Sequence, residues 1–302
     1  MKQKAPSNKV ISLTKKIADK KSFAAQKKEK NRKSNTRVIA ITSGKGGVGK
    51  TNIVANVGFA LSKLGKSVLI LDADLGLGNL DVLLGLAPKY NLSHVIMGEK
   101  SIPEIILEGP GNMKILPASS GIQELTRLTK EQKIHILTEL DSLINPIDVL
   151  LIDTAAGISS NVMYFNTTAQ EILVVVTPEP TSITDAYALM KVLSIKYSEK
   201  DFKVLVNMAA NVKEAYEVYR QLSLVADRFL DISIEYIGYV LFDEKVTKGV
   251  RLQKVVSEIY PNAQASMCFT SLAKNICESP LTKLPKGGTN FFWKHLLQNN
   301  FS

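Results

Sequence analysis

The chain has few cysteines and no long apolar run, which argues against disulfide-rich, Cys-x-x-Cys metal-binding and membrane-spanning proteins. Its 302 residues include two cysteines, Cys268 and Cys277, which are too few for a disulfide framework and wrongly spaced for a Cys-x-x-Cys metal or redox site. No apolar run approaches the roughly 20 residues that a membrane-spanning helix needs, and the lysine-rich N-terminus lacks the apolar stretch of a signal peptide. We therefore expect a cytoplasmic, globular protein.

Positive charge is concentrated at one end of the chain. The net charge is +10, and residues 1–37 hold thirteen Lys or Arg against only Asp19 and Glu29, a local net of +11. The rest of the chain, with 25 basic and 26 acidic side chains, is nearly neutral. Such an arm suits an anionic membrane or an acidic protein, and a solvated disordered tail is the alternative. DNA is less favoured, because the arm lacks interleaved aromatic residues and a DNA-binding motif.

The most informative segment is rich in glycine. Residues 44–51 read Gly-Lys-Gly-Gly-Val-Gly-Lys-Thr, between a strand-like run at residues 38–42 and helix-compatible apolar spacing at residues 52–64. Such a loop lets backbone N–H groups converge on nucleotide phosphates, while Lys50 reaches the β- and γ-phosphates and the Thr51 hydroxyl holds Mg²⁺. The predicted nucleotide-binding residues here are Gly44, Lys45, Gly46, Gly47, Val48, Gly49, Lys50, Thr51 and Asn52.

Apolar runs and helical patterns alternate along most of the chain. Further strand-like runs lie at residues 67–72, 113–116, 148–153, 171–177, 202–207 and 234–240, and helical patterns at residues 130–143, 183–197, 212–229 and 263–276. The longer runs are rich in Val, Ile and Leu, as buried parallel strands are. The alternation predicts an α/β fold: a doubly wound, mostly parallel sheet with helices on both faces and ligands at the carboxyl ends of its strands.

Three carboxylates lie where such a sheet exposes its ligand site. Asp153 ends an apolar strand, as does the Walker B aspartate that orients Mg²⁺ directly or through water. Asp72 and Asp74 follow the second strand in the segment Asp-Ala-Asp-Leu-Gly-Leu-Gly-Asn-Leu-Asp. Strand-end aspartates that only cap helices are the alternative. We expect the three side chains to meet near the phosphates.

Lys45 adds a second ammonium group to a loop that already contains Lys50. With both lysines, residues 44–51 resemble the deviant Walker A box of the MinD/ParA family of ATPases, while residues 72–81 and 153–157 resemble the switch I and switch II segments of MinD-type members. The resemblance implies that Lys45 crosses a dimer interface and stabilises charge on the ATP of the other subunit, as an arginine finger does. A solvated lysine beside an ordinary loop is the alternative.

The same resemblance implies ATP and Mg²⁺ as cofactors and gives roles to further residues. Asp74 would position the attacking water, and Asp72 would support the metal. Gly157 would sense the γ-phosphate through its N–H and Asn207 would recognise adenine, with a simple turn and a helix cap as the respective alternatives. The implied catalytic residues are Lys45, Lys50 and Asp74, and the implied metal ligands are Thr51, Asp72 and Asp153.

Within the family, residues 72–86 and 153–157 are most similar to the flagellar-number regulators of the FlhG/FleN/YlxH type. The similarity implies a homodimer in the ATP state and a flagellar partner, either the signal-recognition-type GTPase FlhF or a flagellar transcription regulator. Two features depart from the pattern. Residues 1–37 lack the Asp-Gln-Ala motif that often stimulates that GTPase, which leaves the partner of the arm open, and Leu241 stands where a proline is usual.

The end of the chain has its own pattern, after a Pro-Lys-Gly-Gly hinge at residues 285–288. At 100° per residue, one helical face opposite a weakly basic side gathers Phe292, Trp293, Leu296, Leu297 and Phe301. The pattern predicts an interfacial helix similar to the C-terminal membrane-targeting helix of MinD and FlhG proteins, with a helix packed on its own core as the alternative. The predicted organisation is a basic arm (1–36), an ATPase domain (37–282) and a hinge with a membrane-targeting helix (283–302).

These expectations combine into one hypothesis and two rivals. The hypothesis is a slow ATPase that closes a dimer on binding Mg-ATP, attaches peripherally to the inner face of the cytoplasmic membrane and regulates flagellar number or placement. One rival is a nucleotide-gated adaptor of a transcription factor or GTPase, with incidental hydrolysis. The other is a ParA-like DNA-partition ATPase, which predicts DNA binding that weakens steeply as salt rises.

Overall fold

A computed structural model describes residues 36–74, 79–117 and 147–280 of the chain. Its centre is an eight-stranded sheet in the order β3-β4-β2-β5-β1-β6-β7-β8. All neighbouring strands pair in parallel except β3 and β4. The strands are β1 (Arg37–Ser43), β2 (Val68–Ala73), β3 (Leu107–Glu108), β4 (Lys114–Pro117), β5 (Val149–Ala156), β6 (Glu171–Val176), β7 (Asp201–Ala209) and β8 (Ser233–Leu241).

Helices connect the strands and cover the sheet on both sides. In the described residues they span Lys50–Lys63, Leu80–Leu83, Leu92–Ile96, Ile102–Ile105, Ser160–Thr168, Pro180–Tyr197, Val212–Phe229, Glu244–Arg251, Val256–Ile259 and Gln264–Glu278, with a 3₁₀ turn at Pro110–Asn112. None of these helices is both long and apolar enough to cross a bilayer.

The central strand β1 shows why the sheet needs helices on both faces. Ile41 packs in one cluster with Phe59 and Phe269, whereas its neighbour Ala40 packs in another with Phe165. Successive side chains of a strand point to opposite faces, so the continuous apolar run of β1 is buried on both. The predicted α/β fold, with a mostly parallel sheet between two helical layers, is confirmed.

The topology also fixes where a ligand can bind. From β1 the chain order runs outward in two directions, to β5 on one side and to β6 on the other. Such a reversal of strand order leaves a crevice at the carboxyl ends of the central strands, which is where doubly wound sheets bind ligands. The ends of β1, β2, β5 and β7 carry the predicted site residues.

The predicted strands and three of the predicted later helices lie where the structure places them. The helical pattern at residues 130–143, the basic arm and the apolar face at residues 292–301 lie outside the described residues, and the three domain boundaries stay predictions. The short helices Leu80–Leu83 and Val256–Ile259 were not predicted, because four residues are too few to show a helical period.

Candidate nucleotide-binding site

The phosphate loop turns from the end of β1 into the helix Lys50–Lys63, and its glycines are required by geometry. Gly47 and Gly49 have φ values of 79° and 86°, in the left-handed region that favours glycine. A Cβ on Gly49 would lie 2.6 Å from Asn207 Nδ2, and one on Gly44 would collide with the Asp185 carbonyl. The loop is therefore packed closely against two other elements of the fold.

The N-terminus of the helix Lys50–Lys63 follows the phosphate loop directly, and no side chain of the helix neutralises the positive end of its dipole. Gly49 occupies the N-cap position and supplies no side-chain cap, and the first turn contains no acidic residue. The first N–H groups of a helix have no partner within the helix, and the helix dipole favours an anion there. This arrangement suits a phosphate group.

Lys50 is directed into the site. Its Nζ donates a hydrogen bond to Ser43 Oγ at 2.9 Å, at the end of β1. Burial lowers the pKa of Lys50, while the nearby Asp153 and Asp74 oppose that shift. The ammonium group thus lies between the loop and the carboxylates, where a nucleotide's terminal phosphates would meet it.

Two carboxylates lie side by side beneath the loop. Asp72 of β2 and Asp153 of β5 are direct register partners, and both are buried. Burial, followed by repulsion from Asp72, raises the pKa of Asp153 to about 7; burial is also the main cause that raises the pKa of Asp72 to about 6. Asp153 accepts a hydrogen bond from the Thr51 side chain, yet its Oδ1 is buried without a partner.

This arrangement fits a divalent cation shared with phosphate. A buried carboxylate oxygen without a partner is costly unless a cation or donor reaches it. The part of the chain that the structure describes has no cluster of three or more His, Cys, Asp or Glu side chains that could hold a metal alone. Mg²⁺ commonly takes one or two protein ligands and completes its shell with water and phosphate oxygens, so Thr51 and Asp153 suffice.

Asp74 lies at the mouth of the site. It follows β2, is half-buried, and its backbone N–H donates to Asp72 Oδ1 at 3.2 Å. Its charge contributes to the pKa shifts of both Lys50 and Asp153, so the Asp74 carboxylate lies in the neighbourhood of these two groups. The structure therefore brings together the three predicted carboxylates, while the role of Asp74 in orienting water stays a prediction.

Asn207 joins β7 to the phosphate loop. Its Nδ2 donates to the Val48 carbonyl at 2.8 Å, and the side chain is buried. Beside it is a small cavity whose lining includes Gly49, Asn52, Met208, Phe242 and Asp243. The predicted adenine contact is thus placed next to a cavity, with Asn52 on its wall.

Gly157 and Lys45 occupy the outer edge of the site. Gly157 has φ 92°, and its N–H donates to the Ser43 carbonyl at 2.9 Å, so contact with a phosphate would require that bond to open. The Lys45 ammonium forms an ion pair with Glu179 and donates to Thr181 Oγ1 at 2.9 Å. Of the two lysines of the loop, Lys50 is therefore directed to Ser43 inside the site and Lys45 to Glu179 at its edge.

Comparison with known proteins agrees with this geometry. A family model described as an AAA domain matches residues 36–206. The chain is 45% identical to the antiactivator FleN of Pseudomonas aeruginosa over 263 residues, which are 87% of this chain and 94% of that protein. It is 34% identical to the flagellum site-determining protein YlxH of Helicobacter pylori over 270 residues, 88% of this chain and 91% of the relative.

Solved structures of MinD proteins are also similar to this chain. The septum site-determining protein MinD of Pyrococcus horikoshii, complexed with Mg-ADP, matches with a TM-score of 0.62 and 25% identity over 80% of this chain and 96% of its own. A MinC:MinD complex of Aquifex aeolicus matches with a TM-score of 0.63 and 28% identity over 82% of this chain and 98% of that chain. This chain belongs to the MinD/ParA family of P-loop ATPases. It is an ATPase with the loop of that family at Gly44–Thr51.

The MinD/ParA-type site contains residues that sequence reasoning missed. Ser43 accepts from Lys50 and donates to the Lys45 carbonyl at 2.7 Å, although only its position before Gly44 could have indicated it. Met208 and Phe242 line the cavity beside Asn207 because β7 and β8 end side by side. Nothing in the local sequence of either residue predicts that placement.

Proposed function

We propose that this MinD/ParA-family ATPase is a switch that closes a homodimer on Mg-ATP, opens it after hydrolysis, and regulates the number or placement of flagella. The flagellar part is supported by the two relatives named above as an antiactivator and a flagellum site-determining protein, both aligned over nearly the whole of their length. MinD proteins, which share the fold, are named for placing the division septum. The names of the YlxH and MinD relatives share the determination of a site.

The chemistry is assigned to residues that the fold brings together. Thr51 and Asp153 would hold Mg²⁺, with Asp72 supporting them, and the ion would neutralise charge on the phosphates. Lys50 binds the terminal phosphates, and Asp74, at the open side of the site, orients water for attack. The partnerless Oδ1 of Asp153 is the observation that favours a metal-assisted ATPase over a passive nucleotide pocket.

The dimer is supported by the separation of the two lysines. Lys50 is directed inward to Ser43, whereas Lys45 pairs at the protein surface with Glu179, whose side chain is 61% exposed. A lysine held at the surface is placed to meet the phosphates of a second subunit, and its charge would stabilise the transferring phosphoryl group there. This is the single observation that carries the switch.

Membrane attachment would follow from dimerisation. A short interfacial helix binds a bilayer weakly and reversibly, so one copy of the apolar face predicted for Phe292, Trp293, Leu296, Leu297 and Phe301 would give little attachment. Two copies held in one dimer bind far more tightly, because the second insertion is intramolecular. ATP would therefore recruit the protein to the inner face of the cytoplasmic membrane, where a flagellar GTPase or transcription regulator responds to it.

Sedimentation with anionic liposomes tests the proposal. The full chain and a variant ending at Pro285 are compared in ATP and in ADP at equal concentration. We expect co-sedimentation only for the full chain in ATP. Binding that ignores the nucleotide, or that survives loss of the tail, would contradict the switch; binding to nonspecific DNA in ATP would instead favour the partition ATPase.

A further inference from the structure

The helix Glu244–Arg251 has one face on the nucleotide pocket and another in solvent. Val246 and Thr247 line the cavity beside Asn207. On the other side, Lys248 and Arg251 are exposed, and Leu252, which ends the helix, is 59% exposed. A ligand on the outer face would therefore press on an element that also forms the nucleotide pocket.

The outer face is unusually basic for the body of this protein. Residues 244–254 carry four basic side chains, Lys245, Lys248, Arg251 and Lys254, against one acidic side chain, Glu244. All five are exposed. Because the chain beyond residue 37 is nearly neutral as a whole, this local excess of three positive charges is a concentrated feature and selects for a negatively charged ligand.

Gln253 connects this face to the segment that follows β2. Its Nε2 donates to the Val82 carbonyl at 2.9 Å, in the helix Leu80–Leu83. Gln253 follows the C-terminus of its helix with φ 55°, where its N–H donates to the Val250 carbonyl and the Lys254 N–H donates to the Gly249 carbonyl, as in a Schellman motif; Gln253 also lies against Gly85. The position of Gln253 is therefore fixed by the end of its own helix. The Val82 side chain is 56% exposed, so a second apolar group lies next to the basic face.

The connection continues to the metal site. In the same short helix as Val82, the Leu80 N–H donates a hydrogen bond to the Asp72 carboxylate. Leu80 itself is fully buried in the core, so the helix cannot shift at Val82 without disturbing the Leu80 contact. One hydrogen bond on each side of this helix therefore joins Gln253 to Asp72.

We propose that Lys248, Arg251, Leu252 and Val82 form a docking surface for an acidic protein segment with apolar anchors, and that docking stimulates ATP turnover through Gln253. The inference rests on the proposed function, since it names the chemistry of the partner that stimulates the ATPase. A protein segment is favoured over a nucleic acid or a lipid headgroup because the charges surround exposed aliphatic side chains. Aliphatic anchors within a charged rim are typical of protein recognition.

The probe is a synthetic peptide with glutamate on one helical face and leucine on the other, and its control has lysine for every glutamate. Peptide binding is measured by fluorescence anisotropy and ATP turnover in the same samples. We expect the acidic peptide to bind the full-length protein and to raise ATP turnover at least threefold. The binding affinity should fall as salt rises. The lysine peptide should do neither.

Three variants separate docking from coupling. Lys248→Glu combined with Leu252→Ser should weaken peptide binding at least tenfold while basal turnover is unchanged. The matched control, Lys213→Glu with Leu224→Ser, changes an exposed Lys and Leu on another helix and should bind as the wild type does. Gln253→Gly, which tolerates the left-handed φ, should bind the peptide normally but lose the stimulation.

Several outcomes would overturn the proposal. These are equal binding by the Lys248/Leu252 variant and the wild type, stimulation that persists in Gln253→Gly, or an acidic peptide that fails to bind while basal turnover is normal. Preferential binding of a DNA duplex or of anionic vesicles through the same residues would also reject the protein partner. Absence of basal turnover in the wild type would instead contradict the proposed function itself.

Discussion

Lys45 is held by Glu179, which lies 134 residues away in sequence, at the beginning of the helix Pro180–Tyr197. In the same loop Lys50 is held by Ser43, so two lysines five positions apart are held by different elements. If Lys45 acts on another subunit, its pair with Glu179 is a competing contact that must open first. The dimer dissociation constant should therefore depend on Glu179, which lies outside the phosphate loop.

Glu179→Gln should therefore strengthen ATP-dependent dimerisation. A partly exposed ion pair is worth about 0.2–1 kcal/mol, and two such pairs open in each homodimer, which corresponds to roughly a 2- to 30-fold lower dimer dissociation constant when that competition is removed. Analytical ultracentrifugation in ATP measures the constant. In a Lys45→Ala background the same substitution should have no effect, and a weaker dimer in Glu179→Gln would show that Glu179 supports the interface.

Gly49→Ala should destabilise the protein even without nucleotide. The new methyl group would lie 2.6 Å from Asn207 Nδ2, at a φ of 86° that alanine disfavours, so we expect a loss of about 2–4 kcal/mol in the free energy of unfolding. Urea denaturation measures it. Gly46→Ala is the matched control, because a Cβ there has no atom within 4 Å, and it should leave the stability of the nucleotide-free protein unchanged.

Asp153→Asn should stabilise the protein in the absence of Mg²⁺ and abolish turnover. The folded state raises the pKa of Asp153 to about 7, so between about pH 4 and pH 7 it binds a proton that the unfolded state has lost. The free energy of unfolding of the metal-free wild type should consequently fall as pH rises through this window, because the unfolded state binds fewer protons.

The neutral asparagine removes that dependence at residue 153. At pH 8 we expect Asp153→Asn to be more stable than the wild type by on the order of 1–3 kcal/mol, with a flatter profile between pH 5 and pH 8. Thermal unfolding in chelator measures both. A variant less stable than the wild type at pH 8 would show that the carboxylate contributes a structural contact rather than a metal ligand.

Arg37 should matter for folding and not for nucleotide binding. Its guanidinium pairs with buried Glu171 and donates to the Ile276 carbonyl, at the end of the sheet opposite the phosphate loop. Arg37→Met would leave the Glu171 carboxylate with Lys203 alone, at 3.2 Å, and should cost about 2–4 kcal/mol in the free energy of unfolding.

The control for Arg37→Met is an exposed ion pair. Lys200→Met removes the partner of Asp231, which is almost fully exposed, and should leave stability unchanged. ATP affinity measured at a temperature where both variants are folded should equal that of the wild type. An affinity loss confined to Arg37→Met would contradict a purely structural role.

The parts of the site that sequence predicted are those fixed by local pattern. Gly44–Thr51 was found because a strand, a glycine loop and a helix follow each other directly, and Asp72 and Asp153 because parallel strands bring their ends to one edge. The resemblance to MinD and ParA proteins supplied Asn207, whose bond to Val48 the structure shows.

The parts that sequence missed depend on contacts between distant segments. The partners Glu179 and Thr181 of Lys45 and the bond from Gln253 to Val82 join segments more than 130 residues apart. The left-handed φ of Gln253 belongs to the C-terminal cap of the helix Glu244–Arg251, a position that glycine usually marks in a sequence and glutamine does not. No periodicity or motif predicts the long-range contacts of Lys45 and Gln253, which form only when the helices pack.

The most direct test of the switch mixes two inactive variants. The Lys45→Ala subunit keeps Asp74, and the Asp74→Ala subunit keeps Lys45 and should still bind ATP. If Lys45 acts on the other subunit, the site of the Lys45→Ala subunit in a mixed dimer has both groups, because its partner supplies the lysine. At equal amounts about a quarter of wild-type ATP turnover should return, since random pairing makes half of the dimers mixed and each has one complete site. A Lys45→Ala, Asp74→Ala double variant mixed with Asp74→Ala should stay inactive. If the mixture of single variants is also inactive, Lys45 does not act across a dimer and the account is wrong.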